Sequence, residues 1–388
     1  MSRLGIARRA CFVVLLVLAT GCVTSYDPLA DPSLLLGDPA SRGQVRLEPI
    51  GAFEQPVQVI SPPGDRRLFV VERTGRVKIW IDDEVLETPF LDVSHAVTAG
   101  PGRGLLSIAF PPDHRWSRLL YVSYTDRLGN NQIDEYAVDP SSTNRVDPRT
   151  RRPILVAKQI SPVNNGGLIG FDSAGMLLIG TGDDGLRAPA QDPTDLRGKF
   201  LRIDPRKPSE GRPYSIPHDN PFVGVEGIRA EIWAYGLRNP WRWAFDPGTQ
   251  DLYVADVRES DSAPIYFIRR ELQPGANYGW ARHDSPEPLR GRLVEPILTY
   301  PLSRSQCAIV GGGVYRGSVA GMRGVYTYGD FCQGAIKGFR VNGGAVAEEV
   351  RFKQLAVPEL IAFGEDSDGE MYVVSLKGGV FRLAGGRS

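Results

Sequence analysis

Apolar residues in this chain come in short runs broken by turn residues, and the pattern repeats along its length. Residues 160–185 hold one full copy: Leu168, Ile169 and Phe171 lead into Asp172-Ser173-Ala174-Gly175, and Met176 to Ile179 run out again. Short apolar runs bounded by turn signals read as buried strands, and Asp, Ser and Gly supply the turn. Ahead of them, Asn164-Asn165-Gly166-Gly167 reads as a loop that brings bare backbone and two amide side chains to one strand end. The unit recurs at Gly64, Leu105, Trp241 and Ala362, with a degenerate copy from Gly311 to Phe331. With Leu68, Leu119, Leu177, Leu252, Val325 and Met371 as equivalent points, the mean step is about 61 residues, room for four short strands and their turns. Six such copies predict an all-β, six-bladed β-propeller in a single domain, whose closure leaves no long sheet edge open. Residues 185–230 read as loops elaborating one face, with a strand over Gly198 to Ile203.

Composition agrees with this reading. Of 388 residues, 42% are apolar, ample for a packed core. The length would allow two or three domains, but closed all-β folds often exceed the usual domain size. Gly at 44 and Pro at 31 are high for a helical protein and suit many turns. Lys plus Arg and Asp plus Glu are equal at 45 each, so no net field draws nucleic acid or an anionic membrane surface.

The N-terminus reads as an export segment. Arg3, Arg8 and Arg9 form a positive stretch, and Cys11 to Leu18 form an apolar run too short to span a bilayer. Ala19-Thr20-Gly21-Cys22 resembles a bacterial lipobox, which makes residues 1–21 a lipoprotein signal peptide and Cys22 the lipidated residue. An ordinary signal peptide with an incidental Cys22 is the alternative. The Arg8-Arg9 pair is a weak match to twin-arginine export, and Val23 carries no inner-membrane retention signal. Residues 22–45, rich in Pro, Asp and Ser, read as a flexible tether, leaving 46–388 for the propeller. The expectation is an exported, monomeric protein anchored by lipid to the cell envelope. Cys307 and Cys332 are then the only cysteines of the folded part, and in an oxidising compartment they suggest a disulfide; two buried thiols are the alternative.

Over roughly residues 50–385 the sequence resembles the soluble quinoprotein glucose/sorbosone dehydrogenases. The resemblance rests on GLLSIAFPPD (104–113), NNGGLIGF (164–171), TGDDG (181–185), GKFLRIDP (198–205), IPHDNPF (216–222), EIWAYGLRNPWRWAFDP (231–247), NYGW (277–280), VYRG (314–317) and FGED (363–366). It implies a six-bladed propeller using pyrroloquinoline quinone (PQQ) and calcium. Hydride passes from the anomeric carbon of a sugar in a central-face pocket to the quinone while a base takes the hydroxyl proton. Calcium and a cationic side chain would stabilise negative charge on the quinone oxygens.

Carried over residue by residue, the resemblance puts Arg238 and Asn239 at the cofactor, with Arg238 at its reactive end, and Asp183 at the family's GD position. Lys337 is the nearest match to the cofactor lysine. The catalytic histidine position, just before N-G-G, holds Asn164, whose carboxamide can hydrogen-bond a hydroxyl but cannot take its proton. The family's Val-Glu-Gln ends here in Arg73. Its D-V-G-Q segment reads Asp256-Val257-Arg258-Glu259, and its following acidic pair reads Ala263-Pro264, so an acid near the calcium site is missing. The calcium position thus falls on Arg258 and the backbone carbonyl of Tyr278 in NYGW. The arginines that clamp the cofactor carboxylates have no counterpart, FGED standing in that stretch.

Structural readings stand beside these. Arg238 is either a cofactor contact or an ion-pair partner of Glu231, Asp246 or Asp256; Asp183 and Asp184 fit a turn, as does Asn164 to Gly167; and Asp366 to Glu370 reads as a turn rather than a calcium loop. His95, His114, His218 and His283 show no metal spacing, and His218 is the candidate for a relocated base. Trp233, Trp241, Trp243 and Trp280 read as blade core, Trp280 with an exposed alternative. Two functions remain open. One is a PQQ-dependent sugar (aldose) dehydrogenase. The other is a catalytically inactive propeller that binds a glycan or a protein, as some members of the wider superfamily do.

Overall fold

The computed structural model describes residues 45–209, 211–258, 262–284, 291–303 and 305–386. The export segment, Cys22 and nearly all of the tether lie outside the described residues.

Six blades, each built on an antiparallel four-stranded unit, follow one another in chain order; the first and last are joined in one nine-stranded sheet through a parallel pair at Ile60 and Glu365, and the third carries two further short strands. Blade one comprises Pro56–Ile60, Leu68–Glu72 and Arg76–Ile81, edged by Leu91–Asp92; blade two comprises Leu105–Ala109, Leu119–Thr125, Asn131–Val138 and Val146–Ala157. Blade three runs Gly166–Phe171, Leu177–Thr181, Lys199–Ile203 and Ile232–Tyr235. Blade four runs Arg242–Phe245, Leu252–Ala255, Ser262–Ile268 and Leu298–Pro301, and blade five Ile309–Val314, Tyr326–Asp330, Ala335–Asn342 and Ala345–Ala356. Blade six takes Leu360–Glu365, Met371–Ser375 and Gly379–Gly385 from the C-terminus. Its outer strand is Val45–Ala52, paired with Gly385 opposite Val45 and Gly379 opposite Ala52. The two chain ends thus share one sheet, which closes the ring and removes an open edge. Of the six equivalent points in the sequence repeat, five open the second strand of a blade, and Val325 precedes its strand by one residue.

Each blade buries both faces against its neighbours, which explains the continuous apolar runs. All five residues of Leu68–Glu72 are buried. Between blades one and two, Phe69 meets Phe90 and Phe110 at ring-centroid distances of 4.7 and 4.9 Å. The first strand of every blade lines the axis. The N-terminal ends of these strands surround a cavity of about 180 Å³ that touches Val57, Leu106, Asn239, Trp241, Ile309 and Ile361, the upper mouth. Their C-terminal ends surround a cavity of about 380 Å³ that includes Ile60, Phe171, Phe245 and Glu365, the lower mouth. Between the two, buried Arg242 of blade four reaches across the axis to the Val57 carbonyl of blade one, opposite it. It also donates to the Trp241 carbonyl at 2.9 Å, with its guanidinium carbon 4.0 Å from the Trp241 ring centroid.

The Cys307–Cys332 disulfide forms, with the two Cα atoms 5.7 Å apart. No helix among the described residues is long and apolar enough to cross a membrane.

Candidate functional site at the upper mouth

Three loops meet beside the upper mouth. The Asn164–Gly167 loop enters the inner strand of blade three, the Gly182–Gly185 loop leaves its second strand, and Arg238–Asn239 precede the inner strand of blade four. Tight backbone approach sets this meeting. A Cβ on Gly182 would lie 1.8 Å from the Asn164 carbonyl oxygen, and one on Gly167 2.3 Å from Leu106 Cδ1. Neither position admits a side chain, so the GG and TGDDG motifs are packing requirements as much as chemical ones.

Asp183 is fully buried at the centre of the meeting. Its Oδ1 accepts the Asn164 Nδ2 amide and the Gly185 N–H, both at 2.8 Å, and its Oδ2 accepts the Trp280 indole N–H at 2.7 Å. Its own N–H donates to the Arg238 carbonyl at 2.7 Å. Asn239 Oδ1 accepts the Gly166 N–H at 3.0 Å. The backbone N–H groups of Arg238 and Asn239 in turn donate to the buried Asp256 carboxylate at 3.1 and 2.7 Å. Arg238 Nη1 donates to the Val257 carbonyl at 3.0 Å, and its guanidinium carbon lies 5.9 Å from the Trp280 ring centroid. Asn164, Asp183, Arg238 and Asn239, up to 75 positions apart in sequence, are therefore brought together. Asp183 is both a turn residue and the hub of the group, so the structural and the site readings coincide there.

Of the acids considered as ion-pair partners of Arg238, Asp256 holds its backbone, Glu231 pairs with Arg229 at 2.8 Å, and Asp246 chelates Arg316. Trp280 is buried and serves no stacking platform. Its indole N–H is spent on Asp183, and the guanidinium carbons of Arg187, Arg258 and Arg238 lie 4.4, 5.3 and 5.9 Å from its ring centroid.

Two carried-over expectations need correction. Lys337 does not reach this mouth: it sits on the third strand of blade five, across from Tyr328, with its ammonium 4.7 Å from the Tyr300 ring centroid. The calcium position fails for a different reason. Tyr278 O accepts Arg258 Nη2 at 3.0 Å and the Tyr266 hydroxyl at 2.9 Å, so its lone pairs are engaged. Arg258 has no acceptor atom to offer a cation. Calcium takes six to eight oxygens at about 2.3–2.6 Å, and this donor set does not fit it.

The quinone is no better matched. Asn164 supplies no base, Lys337 lies elsewhere, and Arg238 and Asn239 alone remain of the expected contacts. His218 does not replace the base either. Its loop is tied to blade three through Arg202, which bonds Asp219 at 2.7 Å and Asp172 at 2.6 Å, and Asp172 turns at the lower end of the blade. His114 Nδ1 sits 2.7 Å from the Leu119 carbonyl, outside the mouth, and exposed His283 lines a separate cavity of about 340 Å³ with Arg258 and Tyr278. Asp366 makes the expected turn, accepting the N–H groups of Asp368 and Glu370 at 2.9 Å each.

Three features of the axis escaped the sequence reading: the Arg242 strut, the Arg258 clamp on Tyr278, and Glu365. The signal for the first was available. Trp241-Arg242-Trp243 puts a charge on a strand otherwise apolar, and such a charge is placed for a reason. Glu365 lines the lower mouth; burial, then Asp366 and Asp246, push its carboxyl up to about 7, against Arg316.

Comparison with known proteins agrees with the fold. The chain is 30% identical over 360 residues to Hedgehog-interacting protein of Mus musculus, across 84% of this chain and 49% of the other. It is 31% identical over 228 residues to the aldose sugar dehydrogenase YliI of Escherichia coli, across 56% of each. The chain spans about half the length of these curated relatives. Among solved structures, a glucose dehydrogenase superposes with a TM-score of 0.72 at 25% identity, covering 88% of this chain and 99% of that one. The PQQ-bound aldose sugar dehydrogenase of Streptomyces coelicolor superposes with a TM-score of 0.70 at 21% identity, over 90% and 100% of the two chains. The family model described as glucose/sorbosone dehydrogenase matches residues 53–379, so the chain belongs to that family.

Proposed function

We propose that this chain is a sugar-binding propeller of the family that holds a small acidic sugar at its upper mouth and does not oxidise it. The observation that carries the reading is the Asn164 amide donating to Asp183 at 2.8 Å in the place of the family's base. Neither member of this pair can accept the hydroxyl proton usefully, because the amide is not basic and the carboxylate already takes three N–H donors. The preference for an acid comes from the lining. Arg73 and Arg103 line the upper mouth, and no carboxylate does so among the described residues. Arg73 is held by Gln55 Oε1 at 2.9 Å, and Arg103 Nε is buried without a hydrogen-bond partner. At about 180 Å³ the cavity lies below the ~300–1,000 Å³ of drug-sized sites, which suits a single sugar ring. The lipobox-like segment supports an exported protein tethered by lipid at Cys22 to the bacterial cell envelope, facing the periplasm from the outer membrane if the cell is Gram-negative.

Calorimetry on protein lacking residues 1–22 tests this. Saturable binding of glucuronate, with glucose at least tenfold weaker and no acceptor reduction in the presence of PQQ, is the expected result. Glucose-dependent acceptor reduction with PQQ and calcium would overturn it.

That outcome is the second reading, a PQQ-dependent aldose dehydrogenase. It draws on the assembly of Arg238, Asn239 and Asp183 and on the activity named for the Escherichia coli relative. In it Arg238 would face the quinone, which supplies the hydride acceptor, and the proton acceptor would have to come from outside this group.

A further inference from the structure

We propose that Arg258 is a built-in cation that takes over the structural work of a divalent metal beside the upper mouth, so that this propeller needs no calcium. The guanidinium joins two loops. Its Nε meets Asp256 Oδ2 at 3.2 Å, and Asp256 holds the Arg238-Asn239 backbone; its Nη2 donates to Tyr278 O at 3.0 Å and to the Tyr266 hydroxyl. Tyr266 closes the ring by donating to the same carbonyl at 2.9 Å. Arg258 thus faces one carboxylate oxygen, one carbonyl and one phenol oxygen, the kind of oxygen set that gathers around a metal ion.

The charges agree. Asp256 is fully buried and brings a single negative charge, which one guanidinium balances. Where the resemblance places an acidic pair, the chain has Ala263, fully buried, and Pro264, which lines the cavity beside Arg258; Glu295 is the one carboxylate in that lining among the described residues. With the guanidinium already engaged by all three oxygens, a dication there would find no free ligand and would stand beside a like charge. The loss of the acids and the arrival of the arginine are then one change. Arg258 is a positioning residue: it fixes the loop that presents Arg238 and Asn239. The inference is independent of whether the mouth binds or oxidises its ligand.

The test is the melting temperature of protein lacking residues 1–22, in 5 mM calcium and in 5 mM EDTA. It uses three forms: the unaltered protein, Arg258→Met and Arg258→Lys. The unaltered protein should melt within about 1 °C in the two conditions. Arg258→Met should melt several degrees lower than the unaltered protein in both conditions, because three oxygens then converge on an unfilled place and are too few to hold calcium. Arg258→Lys, which keeps a cation there, should recover part of the loss and stay indifferent to calcium. Should Arg258→Met fail to fold, Arg258→Gln gives the same reading. A calcium-dependent rise above about 2 °C in the unaltered protein overturns the proposal, as does an Arg258→Met variant that melts with the unaltered protein or an Arg258→Lys variant that melts as low as Arg258→Met.

Discussion

Glu365 offers a clean test of how the lower mouth is built. It lies at the end of the inner strand of blade six and lines the cavity with Phe171, Phe245 and Gly313, and no described group donates a hydrogen bond to it. Its ordinary value of 4.5 is pushed up to about 7, first by burial and then by Asp366 and Asp246, while Arg316 pulls the other way. Arg316 cannot do more because Asp246 already takes its Nε at 2.9 Å. At about 1.4 kcal/mol for each tenfold change in proton affinity, the gap amounts to about 3 kcal/mol, an upper figure for a group with some solvent access. The folded state favours the neutral acid. The stability Glu365 contributes is therefore complete below pH 4.5 and is lost as the pH rises through 7. Glu365→Gln keeps the shape and removes the titration. Urea unfolding followed by tryptophan fluorescence at pH 4.5, 6, 7 and 8 should show the variant gaining on the unaltered protein as pH rises. The gain should be about 2–3 kcal/mol between the extremes. If the two proteins keep a constant difference across that range, the carboxyl is solvated and the reasoning is wrong.

Three further outcomes follow from the same geometry. Replacing Cys307 and Cys332 by Ser opens a loop with a sequence separation of 25 and should cost about 3–4 kcal/mol in chain entropy, read as a lower urea midpoint. Adding reductant to the unaltered protein should bring it to the same midpoint. Gly182→Ala drives a Cβ into backbone at the Asn164 carbonyl and should lower the melting temperature by well over 5 °C, whereas Gly211→Ala, with open space around it, should cost far less. Asn164→His restores a base in name only and should not yield PQQ-dependent oxidation of glucose above background, because Lys337 is held over Tyr300 and the Tyr278 carbonyl is taken by Arg258; robust turnover by that single variant would defeat the binding reading.

The architecture was legible because it rests on repetition. Apolar runs of the right length, punctuated by Asp, Gly and Pro and recurring along the chain, mark each blade's second strand to within a residue, since that strand is buried on both faces and tolerates little else. What sequence order hides is how the ring closes. Nothing in Val45–Ala52 says that it completes the blade made by the last residues of the chain, because strand pairing across 334 positions leaves no local trace. The assembly of Asn164, Asp183, Arg238 and Asn239 was legible only through family motifs.

Arginine is where sequence reading fell short, and the reason is physical. A guanidinium carries five donors on a long stem, so a position number says little about what it reaches. Arg258 and Arg242 look alike in sequence, each beside residues of the mouth. One lies over an acid and a carbonyl at the rim, and the other crosses the axis to the opposite blade. Both supply fixed positive charge and several hydrogen bonds, and neither can leave. On the proposal made for Arg258, a mouth held together in this way stays assembled without a metal. That constancy suits a receptor for a small ligand better than a catalyst that must first load a cofactor.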